Sequence, residues 1–129
     1  MTSDEVRYTP TNEWCKLTDG LVVIGITAQA LAAIGEVVFV ELPEPGDDVL
    51  RELPFGEVEG TQDVKDLFSP LDGMVQEINS RLMQHPEELS KDPENAGWLI
   101  RLKPESLAAF DALLSRADYE DQLRRKRTR

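Results

Sequence analysis

The sequence predicts a mainly β protein, a compact sandwich or barrel of short strands with helices added at its C-terminal end. Three observations predict this fold class. Short aliphatic and β-branched runs alternate with turns between residues 14 and 102, as in all-β sandwiches and barrels. The longest helical stripe of apolar residues, Leu107, Phe110, Leu113 and Leu114, comes after the last strand. With 129 residues, 40% of them hydrophobic, the chain suits one domain with a substantial core.

The first elements are a predicted pair of strands joined by a tight turn. Residues 14–17 form the first strand, and 21–26 form the second as a β-branched run. Thr18-Asp19-Gly20 joins them, because Asp-Gly suits the mirror-image turns that match the twist of strands. The sequence therefore opens with a hairpin.

A short helix and a third strand follow. Thr27 is placed to cap the N-terminus of a helix over 28–34, and Gly35 stands where a helix commonly ends. Residues 36–42 form the next strand. Because residues 37–40 are all apolar, we expect both faces of this strand to be covered.

A hairpin in the middle of the chain predicts a polar bend held between two strands. Val58 and Val64 are the expected apolar anchors on either side of the tip, 60–63. Glycine tolerates backbone angles that other residues resist, and Asp63 can hydrogen-bond its own backbone. Ser69-Pro70 ends the second strand, since proline has no donor for a strand ladder. Such a hairpin is suited to display one side chain from a rigid sheet.

The later elements are less regular, and the single histidine, His85, lies on one of their exposed connections, where we assign it no chemistry. The predicted elements are strands over 74–78 and 97–102, a helical turn at 86–89, a helix opening at Glu105 or Ser106, and a helix over 117–125 whose start at Ser115 and Asp118 is similar to a capping box.

The charge of the chain is strongly acidic, at −11. This balance argues against binding to nucleic acid and favours a self-repelling monomer. Five of the 14 basic residues lie in the last six positions, so a single domain over 1–123 is followed by a basic tail, 124–129. We interpret the tail as a solvated terminus, and contact with an acidic surface is the alternative.

Several classes of site are not indicated. Cys15 is the one cysteine, which excludes an internal disulfide and favours a reducing compartment; we expect its thiol to be buried and inert. No signal peptide or membrane span of about 20 apolar residues is visible, so the expected location is cytoplasmic. No metal cluster, phosphate-binding glycine motif or catalytic set of residues is predicted.

Many short segments resemble the glycine cleavage system H protein family, in one order over about residues 8–120. The resemblance implies a lipoyl-domain barrel-sandwich hybrid of two small antiparallel sheets, with a short helix near 28–34 and C-terminal helices. It also implies a non-enzymatic carrier, in which lipoate on a lysine at the hairpin tip shuttles an intermediate between enzymes. The matching segments are Asn12-Glu13-Trp14, Val23 to Thr27, Gly35 to Pro43, Gly46-Asp47, Phe55-Gly56, Val58-Glu59, Asp66 to Pro70 with Gly73, Asp92-Pro93, Gly97 to Ile100 and Lys103-Pro104.

The resemblance also implies a cofactor and partners. Lipoate would be attached by a lipoate ligase, and the carrier would serve a decarboxylase, an aminomethyltransferase and a dihydrolipoyl dehydrogenase. Similar lipoate-binding proteins of sulfur-oxidising prokaryotes serve a heterodisulfide-reductase-like complex, and the divergent Cys15 and Asp63-Val64-Lys65 leave room for that branch. The rim expected to dock partners comprises Glu57, Glu59, Gly60, Asp63 and Asp66. The acidic members of that rim would also protect an exposed hairpin from aggregation.

The tip departs from the family at the position that matters most. H proteins read Glu-Ser-x-Lys-x-x-Ser-Asp-Leu there, whereas residues 59–67 read Glu-Gly-Thr-Gln-Asp-Val-Lys-Asp-Leu. The lysine that takes lipoate therefore falls on Gln62. Lipoate attaches by forming an amide, which needs a nucleophilic amine, and the nitrogen lone pair of a carboxamide is delocalised into its carbonyl. Gln62 therefore cannot be lipoylated.

Three accounts of Gln62 are open on the sequence. It is an engineered replacement in a carrier, or the chain is a natural relative that acts as an adaptor or regulator without the arm, or Lys65 takes lipoate instead. Positions 62 and 65 have opposite parity along a strand. Lys65 is therefore expected to project from the other side, further down the hairpin, as a solvated lysine.

Overall fold

The computed structural model describes residues 5–127, with side chains up to residue 125. Residues 1–4, and residues 128–129 of the predicted basic tail, lie outside this part. The elements are β1 (Arg7–Tyr8), β2 (Glu13–Thr18), β3 (Leu21–Ile26), α1 (Ala28–Ile34), β4 (Val37–Glu41), β5 (Asp48–Val49), β6 (Pro54–Gly60), β7 (Val64–Phe68), β8 (Gly73–Ile78), α2 (Arg81–Gln84), a 3-10 helix (Pro86–Ser90), β9 (Ile100–Pro104), α3 (Ala108–Asp111) and α4 (Arg116–Arg127). These strands form a six-stranded sheet in the order β1-β2-β3-β9-β8-β5 and a three-stranded sheet in the order β4-β6-β7.

The predicted fold class is confirmed. All the strand pairs are antiparallel, and one hydrophobic core takes residues from both sheets and from α1. Burying one such aliphatic side chain contributes about 1.5–3 kcal/mol. Representative core residues are Ile24 and Leu102 from the larger sheet, Val40, Val58 and Leu67 from the smaller sheet, and Leu31 and Ile34 from α1.

Helix α1 has the predicted bounds, because both of its ends are encoded locally. The Thr27 hydroxyl accepts a hydrogen bond from the Ala30 N–H at 3.3 Å, which caps the N-terminus. Gly35 ends the helix with φ +83° and ψ −159°, a region that is nearly exclusive to glycine. The helix buries Leu31 and Ile34 against the core.

The prediction that both faces of β4 are covered is wrong. A β-bulge between Val37 and Phe39 shifts the register against β6 and breaks the alternation of side chains. Val37 and Val40 are consequently both buried, while Val38 and Phe39 are 49% and 48% exposed. The bulge thus leaves two large apolar side chains facing solvent.

Other differences lie after β8. Helix α2 was not predicted, β9 begins at Ile100 rather than 97, and it continues through Pro104. The predicted apolar helix over 107–114 is cut short as α3, because the backbone of Leu114 exchanges two hydrogen bonds with Tyr8, at 2.8 and 2.9 Å. A long-range bridge therefore replaces the last helical turn.

Helix α4 packs on the start of the chain through Tyr119. The rings of Tyr119 and Tyr8 stack with centroids 4.7 Å apart and planes 8° apart. The Tyr119 hydroxyl donates to Asn12 Oδ1 at 2.7 Å and lies 2.9 Å from Thr27 Oγ1. Burial raises the pKa of Tyr119. The contact therefore ties α4 to the cap of α1.

Ser115 starts α4 as predicted, since the Asp118 N–H donates to its hydroxyl at 3.1 Å. The helix runs through Arg127, two residues beyond the predicted end. Arg124 and Arg125 pair with Asp121 within the helix, at 3.6 and 2.8 Å. The first part of the predicted tail is therefore helical.

The two sheets are joined by the carboxylate of Glu13, which is fully buried. Glu13 Oε1 accepts hydrogen bonds from the hydroxyls of Thr9, at 2.6 Å, and Thr11. Glu13 Oε2 accepts from Lys65 Nζ at 2.7 Å and from the Phe68 N–H at 3.2 Å. Because Glu13 lies on β2, and Lys65 and Phe68 lie on β7, one side chain holds the edge strand of the small sheet against the large one.

Lys65→Met tests this connection. Removing the ammonium leaves a buried carboxylate without its cation, and we expect the free energy of unfolding to fall by about 3 kcal/mol. Urea denaturation measures the change. The double variant Glu13→Gln/Lys65→Met should lose less than the sum of the two single losses.

Lys16→Met is the matched control, because Lys16 is a partly buried strand lysine that has no ion pair among the described residues. We expect it to stay within about 0.5 kcal/mol of the unsubstituted chain. Equal losses for Lys16→Met and Lys65→Met would contradict the role given to the pair.

Candidate functional site

The bend between β6 and β7 lies at the surface of the protein. The side chains of residues 61–63 are exposed, whereas Gly60, at the end of β6, is buried. The Gly60 N–H donates to the Asp63 carbonyl at 2.9 Å and closes the bend. Asp63 Oδ1 accepts from the Val64 N–H at 2.8 Å, a local bond of the kind predicted for this side chain. Gln62 is therefore displayed to solvent from a closed turn.

The backbone of the bend is fixed on the C-terminal end of α1. The Gln62 N–H donates to the Ile34 carbonyl and the Thr61 N–H donates to the Glu36 carbonyl, both at 2.9 Å. The last carbonyls of a helix lack partners within it, so the bend satisfies a group that would otherwise need water. The bend is a rigid support, and the side chain of Gln62 is its exposed part.

Two glycines permit this close approach. A Cβ on Gly60 would lie 2.1 Å from the Ile34 carbonyl oxygen, and a Cβ on Gly35 would lie 2.6 Å from Thr61 Oγ1 and 3.0 Å from Gln62 Cγ. Gly60 therefore lets the bend approach the last carbonyl of α1, and Gly35 leaves room for the side chains of Thr61 and Gln62.

The predicted rim residues lie around this bend but differ in exposure. Glu59, Asp63 and Asp66 are exposed, Glu57 is partly buried, and Gly60 is buried and presents no side chain to a partner. Val58 is a buried anchor as predicted, but Val64 is 45% exposed, so its prediction as an apolar anchor is wrong. The reason is register: Val64 pairs with Glu59 and shares its outward face.

Lys65 lies on the opposite face of β7 from Val64, opposite the buried Val58. The prediction that it is solvated is wrong, since its side chain is 14% exposed. Its ammonium is bound to Glu13 and lies 5.4 Å from the centre of the Phe68 ring. Acylation would remove this charge and leave Glu13 without its cation, so the geometry disfavours Lys65 as an attachment point.

Within the described residues, Cys15 and His85 make no hydrogen bond with the bend. Cys15 is fully buried, as predicted, and burial, with the Glu13 charge second, raises the pKa of its thiol. His85 is exposed beside Glu87 and Glu88, but two hydrogen bonds from Arg81, at 2.8 and 2.9 Å, already occupy the Glu88 carboxylate. The hydrogen bond from Arg81 lowers the pKa of Glu88.

The structural role of Glu13 was not predicted from the sequence, in which Glu13 only forms part of the segment Asn12-Glu13-Trp14 that carries the family resemblance. A signal was available: an acidic residue opens an apolar strand and has two threonines, Thr9 and Thr11, just before it. Its other partners are more than 50 residues away, so the sequence could not indicate them.

Comparison with known proteins identifies the family. A family model described as "Glycine cleavage H-protein" matches residues 6–126. The chain belongs to this family. Its members are lipoyl-carrying components of the glycine cleavage system and are not themselves catalysts, which confirms the resemblance and the non-enzymatic class predicted from sequence.

Individual relatives agree with the family assignment. The chain is 42% identical over 119 residues to the glycine cleavage system H protein of Geobacillus kaustophilus, with 92% of this chain and 94% of that protein covered. It is 37% identical to that of Acaryochloris marina, with 91% of each covered. The crystal structure of the H protein from Mycobacterium marinum superposes with a TM-score of 0.85 at 35% identity, over 94% of this chain and 98% of that one.

None of the helices in the described part of the chain has the length and apolar character needed to cross a membrane.

Gly35→Ala tests the coupling between α1 and the bend. The residue occupies a backbone region that an L side chain resists, and its Cβ would press on Thr61, so we expect a loss of about 1–3 kcal/mol in stability. Hydrogen exchange at the Thr61 and Gln62 amides should also accelerate. Gln62→Ala is the control, because it shortens the side chain and keeps the hydrogen bonds that the Thr61 and Gln62 amides donate. Unchanged exchange in Gly35→Ala would contradict the coupling.

Proposed function

We propose that this chain is an H protein of glycine-cleavage type that engages the partner enzymes of that system without a lipoyl arm at position 62. The single observation behind this proposal is an exposed, rigidly supported bend that carries a carboxamide in place of the amine needed for attachment. In this form the chain acts as an adaptor, and a lysine at the same position would make it a shuttle.

The geometry at the bend suits a tethered group. A group attached to residue 62 would start from a backbone held by α1, while its own bonds stayed free to rotate. Tethering raises the effective concentration of an intermediate at a partner's active site, provided that the tether can span the distance. A fixed backbone at residue 62 with a side chain that is free to rotate meets that requirement. Gln62 keeps this fixed backbone but carries no lipoyl group.

Lys65 is not part of the proposed attachment site. Its ammonium lies 2.7 Å from a fully buried carboxylate, and its side chain lines the inner face of β7. A lipoyl amide there would need to break the bond to Glu13 and turn the side chain outward. We therefore assign Lys65 to the connection between the sheets.

The proposed partners follow from the family. Glycine cleavage H proteins interact with the P, T and L proteins, that is, the decarboxylase, the aminomethyltransferase and the dihydrolipoyl dehydrogenase, and we extend these partners to this chain. The relatives compared above all carry the glycine cleavage name, which favours this system over a heterodisulfide-reductase-like complex. The sulfur branch, the monomeric state and the cytoplasmic location remain predictions.

Gln62→Lys should accept lipoate, because the substitution returns an amine to the exposed bend. We expect intact mass spectrometry, after incubation with a lipoate ligase, lipoate and ATP, to show one lipoyl adduct on this variant, mapped by peptide analysis to position 62. The unsubstituted chain should show none. Gln62→Arg is the control, since it adds a charge but no acylable amine. An adduct on Lys65 of the unsubstituted chain would overturn the proposal.

The unsubstituted chain should compete with a loaded carrier. Added to a glycine cleavage assay that uses lipoylated Gln62→Lys, it should lower the rate at limiting carrier. Both forms bind the same enzymes, but only the lipoylated form can carry the intermediate. Excess loaded carrier should restore the rate. A rate that is unaffected by a large excess of the unsubstituted chain would contradict an adaptor role.

A further inference from the structure

We propose that the outer face of the three-stranded sheet is a docking surface for a protein partner that presents lysine or arginine side chains beside an apolar one. This inference rests on the proposed function, since the partners in question are the enzymes named there. It goes beyond the predicted rim, because the surface is a sheet face that includes residues of β4.

Strand register defines the surface. Phe39, Glu59 and Val64 pair across the three strands and form one row. Glu41, Glu57 and Asp66 form the next row, two residues further along each strand and therefore on the same side of the sheet. The row between them, Val40, Val58 and Lys65, points inward. The outer face thus carries an acidic row and, beside the bend, an apolar edge made by Phe39 and Val64 on either side of the exposed Glu59.

The acidic row is unfavourable in the isolated protein. Like charges directly opposite one another on neighbouring strands destabilise a sheet. Other carboxylates have cations, such as Glu77 with Arg101 and Glu94 with Arg116. Within the described residues, the ion pairs include none made by Glu41, Glu57 or Asp66. A partner's lysine or arginine would relieve this repulsion.

The apolar edge is also unfavourable in solvent. Phe39 and Val64 are 48% and 45% exposed, and Val38, which precedes Phe39 in the chain, is 49% exposed. An apolar patch rimmed by charge is typical of protein interaction sites. The bulge in β4 is the feature that exposes it, and bulges often re-aim side chains near functional sites.

The negative charge of this face determines which class of molecule can bind to it. A second copy related by a two-fold axis would bring acidic row towards acidic row, and nucleic acid or an anionic membrane would be repelled. A basic protein surface is complementary to this face. Val64 is two residues from Gln62, so a partner seated on the face would also reach the bend.

Glu57→Lys provides the main test, because it should change stability and binding in opposite directions. A lysine between Glu41 and Asp66 replaces two repulsions with two attractions, so the midpoint of thermal unfolding should rise by a few degrees. The same change opposes a basic partner, so the dissociation constant should rise by about tenfold or more. A variant that is more stable and binds less cannot owe the loss to unfolding.

The binding probes are the purified P, T and L proteins from the same organism, measured by surface plasmon resonance at low and moderate salt. Glu105→Lys is the matched control, since Glu105 is exposed just after β9, and the substitution makes the same change in net charge. We expect its dissociation constants to stay within about twofold of the unsubstituted chain, because distant surface charges are screened by salt.

Phe39→Thr tests the apolar edge, with threonine chosen because it suits a strand. It should weaken binding to the same probe at every salt concentration, unlike Glu57→Lys, whose effect should shrink as salt rises. Leu50→Thr is its control, since Leu50 is 56% exposed outside the three-stranded sheet.

The outcomes separate this inference from the proposed function. Binding to a probe that Glu57→Lys and Phe39→Thr leave unchanged would overturn the docking face and leave the adaptor role intact. Equal losses in Glu57→Lys and Glu105→Lys would also overturn the face, because the effect would then be one of net charge. If the unsubstituted chain binds none of the three probes, both proposals fail.

Discussion

The structure depends on one buried carboxylate. Burying a charge is costly unless the surrounding groups replace the water that it loses. Glu13 meets this condition with two hydroxyls from the loop before β2, and with an ammonium and a backbone amide from β7. Two donors lie in the loop between β1 and β2 of the large sheet and two lie on β7 of the small sheet, so the carboxylate is satisfied only when the sheets are correctly apposed. The requirement that a buried charge be fully solvated by the protein therefore helps to set the position of the central hairpin.

The hairpin is held at two points with different chemistry. Along its second strand, the ionic contact of Lys65 with Glu13 fixes β7 against β2. At its bend, two backbone amides bond carbonyls at and just beyond the end of α1. Helix α1 is in turn tied to α4 through the contact of Thr27 with Tyr119. The rigidity of the bend thus comes from connections to three other parts of the chain.

Local signals predicted the elements that local chemistry encodes, and long-range contacts decided the rest. Thr27 and Gly35 fixed the bounds of α1, and Asp-Gly fixed the first hairpin, because each acts within a few residues. The bulge in β4, the exposure of Val64 and the early end of α3 depend on partners far along the chain. The same limit applies at the site: the exposed bend was predictable from its polar residues, but the pairing of Lys65 with Glu13 spans 52 residues.

The separation of roles between positions 62 and 65 follows from this distribution of contacts. The Lys65 side chain has an amine but is held in place, because its ammonium is one of the groups that satisfy the buried Glu13 carboxylate. The Gln62 side chain has no amine, but it is exposed and can be changed, because Gln62 bonds the end of α1 through its backbone N–H. A substitution at 62 can therefore change the chemistry of the bend with little effect on the fold, whereas one at 65 must disturb the contact between the sheets. Under the proposed function, the difference between a loaded carrier and an unloaded adaptor reduces to the functional group at one solvent-exposed position.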